Sequence, residues 1–347
     1  MLLRHLICIA WLMALLAACG GDSSTSSPAT TADTNSAATP SDGISGALQS
    51  GLQKGLDAAW VYVDAGGSAK ATYFDGVEDL RTDEPAKADA LFKIASVSKL
   101  FIAVSVVKLA DTGLLQLDDT VAFWLPSLAG RLANAEQITL RHLLQHRSGV
   151  PDFDSEPGFS WEAAHTDLEA LLALVVDDPG DFSPDARYAY SNTNYLLLGL
   201  ILDTALGYSH HEFVRNDILS PLGLIRTVSL LSEVDTSLMA RGYWDGVDRT
   251  TQDYVVPGGS MISTIEETGA FLRALATGAL LSAAQRERYL GLFGSVGHSG
   301  WLPGYQSITY YFTDIDTVVV QFVNNTGGSS EATSQALFDA VVDALYD

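Results

Sequence analysis

Hydrophobic and polar positions along this chain follow two different periods, which predict where its first helices and strands form. Apolar residues recur at helical intervals from Gly43 to Asp57 and predict a first helix. Two β-prone runs follow, residues 59–63 and 69–74, and the glycine-rich residues 66–68 between them predict a hairpin. A largely apolar stretch from Ser98 to Thr112 predicts a buried helix next.

Strand patterns return only near the C-terminus. Two β-prone runs between residues 305 and 323 flank a polar turn, and residues 330–346 predict a last helix. From Thr139 to Leu281 most patterns are instead helical. We therefore expect an α+β fold in which one antiparallel sheet is built from both chain ends and flanked by the terminal helices. A mainly helical lobe, about residues 113–255, is inserted into it, and a site would form in the groove between them.

The N-terminus has the features of an export signal. Residues 1–18 have a short basic start and an apolar run that is too short to span a bilayer. They end in Leu-Ala-Ala before Cys19 and Gly20, which resembles the lipobox of bacterial lipoproteins, where the cysteine is lipidated. Residues 19–42 are small and polar and predict a flexible tether. We therefore expect an exported protein whose domain, residues 43–347, is anchored through Cys19 to a bacterial membrane, in the periplasm or on the cell exterior.

Composition excludes other kinds of partner. The chain of 347 residues is long enough for a large core, and its formal net charge of −23 repels nucleic acid, so we expect no nucleic-acid partner. Its two cysteines are Cys8, within the predicted signal, and Cys19. We therefore expect no disulfide after export, and a stability that depends on packing.

Ser96 and Lys99, in the sequence Ser-Val-Ser-Lys, pair a potential nucleophile with a potential base. Residues three apart on a helix share a face, and a serine hydroxyl needs a neighbour, such as a partly desolvated lysine, that accepts its proton. A second match, Ser105 and Lys108, lies deep inside the predicted helix, where the serine N–H is not free. We expect that second match to be a coincidence.

Two further motifs supply groups that such a hydrolase needs. Tyr190 and Asn192 offer a phenol that can exchange protons with a lysine and an amide that can bind a substrate amide at both ends. The sequence Gly-His-Ser-Gly-Trp at 297–301 predicts an edge strand with a glycine where something approaches the backbone closely. A substrate carbonyl beside that strand could receive one N–H from it and another from Ser96, which would form an oxyanion hole.

In this order and spacing, the three motifs resemble the serine β-lactamase and penicillin-binding superfamily, on the side of class C β-lactamases, D-alanyl-D-alanine carboxypeptidases and related esterases. Residues 138–151, 190–199 and 257–264 resemble further landmarks of that family. The resemblance extends from Trp60 to the C-terminus and implies a β-lactamase/transpeptidase-like fold.

The resemblance also implies a role for each motif residue. Ser96 would be acylated, Lys99 would accept its proton, Tyr190 would relay a proton to or from the leaving group, and Asn192 would lie near the substrate amide. The third motif would line the substrate and contribute the Trp301 N–H to the oxyanion hole; its members are His298, Ser299, Gly300 and Trp301. A histidine at the first place of this motif, where many β-lactamases have lysine, is known on the carboxypeptidase side of the family.

We therefore expect a serine hydrolase that forms an acyl-enzyme on Ser96 and cleaves an amide or ester in the cell envelope, most similar to D-alanyl-D-alanine carboxypeptidases and β-lactamases. Two alternatives stay open: a short-chain carboxylesterase of the same fold, and a penicillin-binding or wall-binding module with little turnover. We expect no cofactor and no metal, since His142 and His146, although four residues apart, lack the adjacent glutamate of metalloproteases. Expected partners are a small-molecule or peptide substrate and the membrane, and the chain is expected to be a monomer.

Overall fold

A six-stranded antiparallel sheet lies at the centre of the computed structural model, which describes residues 40–347. In chain order, the strands are β1 (Ala58–Ala65), β2 (Ala69–Asp79), β3 (Glu84–Pro85), β4 (Phe92–Lys93), β5 (Tyr243–Trp244), β6 (Val247–Asp248), β7 (Ile262–Ser263), β8 (Gly297–Leu302), β9 (Tyr305–Phe312), β10 (Thr317–Val323) and β11 (Asn325–Thr326). The central sheet has the order β3-β2-β1-β10-β9-β8, and each neighbouring pair in it is antiparallel. The predicted sheet from both chain ends is confirmed.

The helices are mostly short between residues 113 and 255 and longer towards the chain ends. They are α1 (Pro40–Gln53), α2 (Lys99–Asp111), α3 (Val121–Trp124), α4 (Leu140–Leu144), α5 (Leu168–Leu172), α6 (Asn192–Leu206), α7 (His210–Val214), α8 (Ser220–Leu222), α9 (Ile265–Thr277), α10 (Ala283–Phe293) and α11 (Ser330–Tyr346). Among residues 40–347, none of these helices is both long and apolar enough to cross a membrane.

Strand β1 is buried on both faces because apolar residues cover both sides of the sheet. On one side, Val61 belongs to the same buried cluster as Ile44 of α1 and Leu337 of α11. Trp60 and Tyr62, which alternate with it along the strand, belong to the larger core on the other side. The terminal helices thus pack against one face of the sheet, as predicted. The opposite face packs against the larger core, which carries the site.

Helix α2 runs through that larger core and is buried along nearly its whole length. Phe101 of α2 stacks on Phe271 of α9, with ring centres 3.7 Å apart. Because the first residue of α2 is Lys99, this burial places the lysine side chain in the interior of the protein.

A second, three-stranded sheet lies partly within the region predicted to be helical. β5 and β6 form a hairpin, and β11 pairs with β5 in parallel. Each of these strands has two residues, which is too short for an alternating hydrophobic pattern to appear in the sequence. The hairpin brings Trp244 and its neighbours close to the end of the central sheet.

The predicted N-terminal features lie mostly outside the described residues. The predicted signal of residues 1–18, the predicted lipidation site Cys19 and the predicted tether up to residue 39 belong to this part of the chain. Helix α1 begins at Pro40, so the last part of the predicted tether, residues 40–42, is helical. Proline suits the first turn of a helix because the N–H groups there have no partner within the helix.

Candidate active site

Ser96 lies where a strand turns into the buried helix α2. β4 is followed by a 3-10 turn, Ala95–Ser98, and α2 begins directly after it. The Ser307 hydroxyl holds this turn by donating to the Ile94 carbonyl over 2.8 Å. Ala95 has a φ of +49°, a left-handed conformation that costs a non-glycine residue about 1–2 kcal/mol. Strained backbone of this kind clusters at functional sites, and here it directly precedes the candidate nucleophile.

The Ser96 hydroxyl oxygen contacts both of the other side chains predicted to be catalytic. Lys99 Nζ donates a hydrogen bond to Ser96 Oγ over 3.0 Å. The Tyr190 hydroxyl donates to the same oxygen over 2.9 Å. The sequence predicts that Lys99 and Tyr190 exchange protons. In the structure, Ser96 Oγ lies between these two side chains. Two groups that can carry a proton therefore both contact the candidate nucleophile.

Lys99 is poised to act as a base because it is almost completely buried. Its side chain is 2% exposed, and Nζ also donates to Asn192 Oδ1 over 2.8 Å and to the Gly258 carbonyl over 3.1 Å. Burial lowers the pKa of Lys99 to about 7, although the negative charges of Asp152 and Asp154 oppose the shift. At neutral pH a large share of this amine is therefore unprotonated and can accept the proton of Ser96.

Gly258 leaves room for the Lys99 side chain. Its φ of +79° is favourable only for glycine, and a Cβ there would lie 2.8 Å from Lys99 Cγ. The same Cβ would lie 3.0 Å from Tyr195 Cβ. The segment of residues 257–264 resembles a landmark of the family. It supplies both a carbonyl acceptor for Lys99 and the space in which the Lys99 side chain lies.

Tyr190 is held as a neutral phenol. Burial raises its pKa well above its usual value, while the hydrogen bond to Ser96 opposes that shift. Its ring stacks on that of His146, with centres 4.3 Å apart. Burial, with the nearby charge of Lys99, lowers the pKa of His146 well below its usual value, so His146 is neutral. Tyr190 can therefore donate a proton at neutral pH.

Strand β8 is the edge strand of the central sheet, as the sequence predicted. The His298 N–H points into the sheet and donates to Thr309 Oγ1 over 3.1 Å. N–H direction alternates along a strand, so the N–H groups of Ser299 and Trp301 point to the open edge. The predicted oxyanion donor, the Trp301 N–H, is therefore on the accessible side of the strand.

The face of β8 at Gly300 lies against the turn that carries Ser96. A Cβ at Gly300 would lie 2.6 Å from the Ile94 carbonyl oxygen and 2.9 Å from Ala95 Cβ. The glycine therefore permits a close approach, as expected, and the group that approaches is the turn of the same chain. This packing places the turn of Ser96 beside β8, so the Ser96 and Trp301 N–H groups stay the predicted pair of oxyanion donors.

His298 is also neutral at ordinary pH. Burial, and to a smaller extent the charge of Lys99, lowers its pKa to about 4. Its ring centre lies 6.3 Å from that of Tyr190, and its Nδ1 contacts the Ser299 carbonyl. The Ser299 side chain itself is exposed at the rim. His298, the first residue of the third motif, therefore presents no positive charge to a substrate at neutral pH.

Asn192, the first residue of α6, has both ends of its side chain engaged by protein groups. Its carbonyl accepts from Lys99, and its Nδ2 donates to Asp154 Oδ2 over 3.0 Å. Its backbone N–H donates to Asp152 Oδ1 over 2.9 Å. An amide oxygen has two lone pairs and its nitrogen two N–H groups, so the expectation that Asn192 lies near a substrate amide stays a prediction.

The two aspartates of this network were missed by the sequence analysis. Burial, and then the neighbouring charge of Asp154, raises the pKa of Asp152 to about 7, and burial also raises that of Asp154. Their only signal in the sequence is the Asp-Phe-Asp run directly after residues 138–151, a landmark of the resembled family. Without the fold, nothing links that run to Lys99.

The competing motifs have structural roles. Ser105 Oγ donates to the carbonyl of Phe101 one turn earlier, over 2.9 Å, and the Lys108 ammonium contacts the Leu280 carbonyl over 3.3 Å.

His142 caps α4, because its Nδ1 accepts from the Thr139 N–H. Within residues 40–347, no group of three or more histidine, cysteine, aspartate or glutamate residues could hold a metal ion.

The comparison with protein families agrees with this geometry. The family described as Beta-lactamase matches residues 48–292, the part of the chain that contains Ser96, Lys99 and Tyr190. Among curated proteins, Penicillin-binding protein 4* of Bacillus subtilis (strain 168) is 32% identical over 155 residues, which are 44% of this chain and 33% of that protein. Penicillin-binding protein 4 of Amycolatopsis lactamdurans is 29% identical over 232 residues, 60% of this chain and 58% of that protein. This chain thus spans less than two thirds of either relative.

Solved structures confirm the predicted fold class. D-amino acid amidase from Ochrobactrum anthropi SV3, in complex with D-phenylalanine, is 25% identical and has a TM-score of 0.77. The similarity covers 89% of this chain and 99% of that chain.

Proposed function

Because this chain belongs to the Beta-lactamase family, whose members are serine hydrolases acting on amide or ester bonds, we propose that it cleaves such a bond through an acyl-enzyme on Ser96. One observation carries this proposal: Ser96 Oγ accepts hydrogen bonds from both Lys99 and Tyr190. When Lys99 is unprotonated, the Ser96 hydroxyl donates to Nζ over the same contact, so Lys99 is a base for the serine proton and Tyr190 is a donor for the leaving group.

Acylation begins with the unprotonated amine of Lys99. The amine takes the hydroxyl proton as Ser96 Oγ forms a bond to the substrate carbonyl carbon, and the carbonyl oxygen becomes an oxyanion held by the N–H groups of Ser96 and Trp301. Tyr190 then gives its phenolic proton to the leaving nitrogen or oxygen as that bond breaks. The proton that Lys99 took from Ser96 then passes to the tyrosine oxygen. In sum, one proton moves from the serine to the leaving group.

Deacylation repeats these steps with water. Water attacks the acyl carbonyl carbon and gives a proton to Lys99, and a second oxyanion forms at the same N–H pair. When the oxyanion collapses, the bond to Ser96 Oγ breaks and Ser96 Oγ takes the proton back from Lys99. The acid product dissociates, and Lys99 is again unprotonated. A buried lysine with a pKa of about 7 suits this cycle because it accepts and returns a proton near neutral pH.

The charges around the site favour an amino-acid amide as substrate over a peptide with a terminal carboxylate. His298 is neutral and offers a carboxylate no cation, while Asp152 and Asp154 give the Asn192 end of the site negative charge. The similar fold of a D-amino acid amidase over nearly its whole length supports the same substrate class.

The test is Ser96-dependent turnover of D-phenylalanine amide, D-alanyl-D-alanine dipeptide and p-nitrophenyl acetate by the wild type and Ser96→Ala. We expect the wild type to hydrolyse the amide faster than the dipeptide, and Ser96→Ala to hydrolyse neither. Faster release from the dipeptide would support the carboxypeptidase instead. Ester hydrolysis without amide hydrolysis would support a carboxylesterase. A parallel incubation with a penicillin is followed by intact mass, and a long-lived adduct with no turnover of any substrate would support a binding module.

We also propose that Cys19 carries a lipid that anchors the chain to a bacterial membrane. The small residues before Cys19 and the apolar run of residues 6–18 support this. Membrane and soluble fractions of cells producing the wild type or Cys19→Ser test the anchor. We expect Cys19→Ser to move to the soluble fraction, and unchanged membrane retention would contradict the proposal.

A further inference from the structure

Three tryptophans converge just beyond the oxyanion donor. Trp301 is in β8, Trp161 comes from the loop before α5, and Trp244 is in β5. The rings of Trp161 and Trp301 meet edge to face with centres 5.2 Å apart, and those of Trp244 and Trp301 with centres 6.2 Å apart. We call these three residues the tryptophan wall. All three are only half-buried, so part of each indole surface is open to solvent.

Each indole of the tryptophan wall is fixed by a second contact. Trp301 Nε1 donates to Glu331 Oε1 over 2.9 Å. The ring of Trp161 is nearly parallel to that of Tyr254, with centres 5.9 Å apart, and the Arg249 guanidinium lies 5.2 Å from the centre of the Trp244 ring. The wall is therefore already ordered, so an apolar group that binds to it loses little free energy to ordering of the protein.

The wall lies on the acyl side of the reacting carbonyl. Tyr190, which protonates the leaving group in the proposed reaction, lies beside His298 at the start of β8. Trp301 is three residues further along this strand, about 10 Å away. A carbonyl held between the Ser96 and Trp301 N–H groups thus directs its leaving group towards Tyr190 and its acyl group towards the wall.

The Trp161–Trp301 contact also closes this end of the groove. Trp161 belongs to the inserted helical region and Trp301 to the sheet, so their rings bridge the two walls of the site. A compact apolar group can pack against the part of these rings that is open to solvent.

From this geometry we propose that the tryptophan wall is the acyl-binding subsite and selects substrates whose acyl part carries an aromatic or bulky apolar group. This subsite rests on the proposed acyl-enzyme function. It adds that the enzyme selects its substrates by their acyl side. Glu331 is a positioning residue in this subsite, because it acts through the Trp301 indole.

Two isomeric esters test the subsite. Methyl phenylacetate carries its phenyl ring on the acyl side and benzyl acetate carries it on the alcohol side, while their leaving alcohols have similar chemistry. We expect wild-type kcat/KM to be higher for methyl phenylacetate. In Trp161→Ala the ratio of the two kcat/KM values should fall about tenfold, mainly through KM for methyl phenylacetate. Glu331→Ala, which releases the Trp301 indole, should lower the same ratio, whereas Glu331→Gln keeps an acceptor and should lower it less.

Phe123→Ala is the matched control, since this aromatic residue of α3 is 66% exposed and outside the wall. Its ratio should equal that of the wild type. Ser96-dependent hydrolysis with the same ratio in wild type, Trp161→Ala and Glu331→Ala would overturn the subsite and leave the proposed function intact. Hydrolysis that persists in Ser96→Ala would overturn both.

Discussion

Asp154 accepts a hydrogen bond of 3.0 Å from the side-chain amide of Asn192. The carbonyl of the same side chain accepts one from Lys99. A carboxylate pair is thus one side chain away from the catalytic base, and its negative charge favours the protonated form of Lys99. The acid pair therefore controls the pH at which the base becomes active.

Replacing Asp154 by asparagine should move the activity profile to lower pH. Activity needs unprotonated Lys99, so kcat/KM should rise as the pH increases through about 7, the pKa of this lysine. Asp154→Asn keeps an acceptor for Asn192 but removes a charge that raises the pKa of Lys99, so the rise should occur at lower pH. The profile of kcat/KM against pH measures this. Asp118→Asn, at an exposed acid paired with Arg141, should leave the profile unchanged, and a shift of the Asp154→Asn profile to higher pH would contradict the account.

Removing the hydroxyl of Tyr190 should slow the chemical step. Tyr190→Phe keeps the ring that stacks on His146 but removes the proton donor that contacts Ser96. We expect kcat for an amide to fall about 100- to 10,000-fold, the usual contribution of general acid catalysis. An ester with a p-nitrophenolate leaving group needs less protonation and should lose less. Equal losses for both substrates would show that Tyr190 does not protonate the leaving group.

A methyl group at Gly258 should inactivate the enzyme by displacing its base. The added Cβ would lie 2.8 Å from Lys99 Cγ, and a displacement of about 1 Å can lower a rate about 100-fold. Gly130→Ala is the matched control: Gly130 has a similar φ of +72° but nothing within 4 Å of an added Cβ. Both variants should lose stability on heating, Gly258→Ala more because of this contact, and at a temperature where both are folded only Gly258→Ala should lose activity. Similar activities in the two variants would refute the steric argument.

The buried pair of Asp64 and Arg273 should be important for stability. The Asp64 side chain is 0% exposed, and its Oδ2 lies 3.2 Å from Arg273 Nε. Arg273→Met leaves that carboxylate buried without its cation and should lower the free energy of unfolding by about 3–5 kcal/mol. Arg131→Met, which breaks an exposed pair with Asp177, should cost far less, because water and salt screen that pair. Urea denaturation measures both, and equal losses would contradict this reasoning.

Local sequence patterns were sufficient to predict the long elements of the fold. The strands at 305–312 and 317–323 and the helix at 330–346 have clear periods, and the structure has them as β9, β10 and α11. The two-residue strands β5 and β6 have no period, so the pattern of the sequence could not reveal them.

The same limit applies to the candidate site. Ser96 and Lys99 are three residues apart on one face, so their proximity follows from local geometry alone. The contact of Asn192 with Asp154 joins residues 38 positions apart. It depends on how the start of α6 packs against the preceding loop, and no local pattern in the sequence encodes that packing. The tryptophan wall was missed for the same reason, because three distant segments contribute to it.

The most direct test of the central claim is to locate the acyl group. Wild type, Ser96→Ala and Ser98→Ala are mixed with p-nitrophenyl acetate, quenched in acid during the first turnover, and analysed by intact mass and peptide fragmentation. The account predicts one acetyl group on Ser96 in the wild type and in Ser98→Ala, and none in Ser96→Ala. An acetyl group on Ser98 or Lys99, or an adduct that persists in Ser96→Ala, would contradict it.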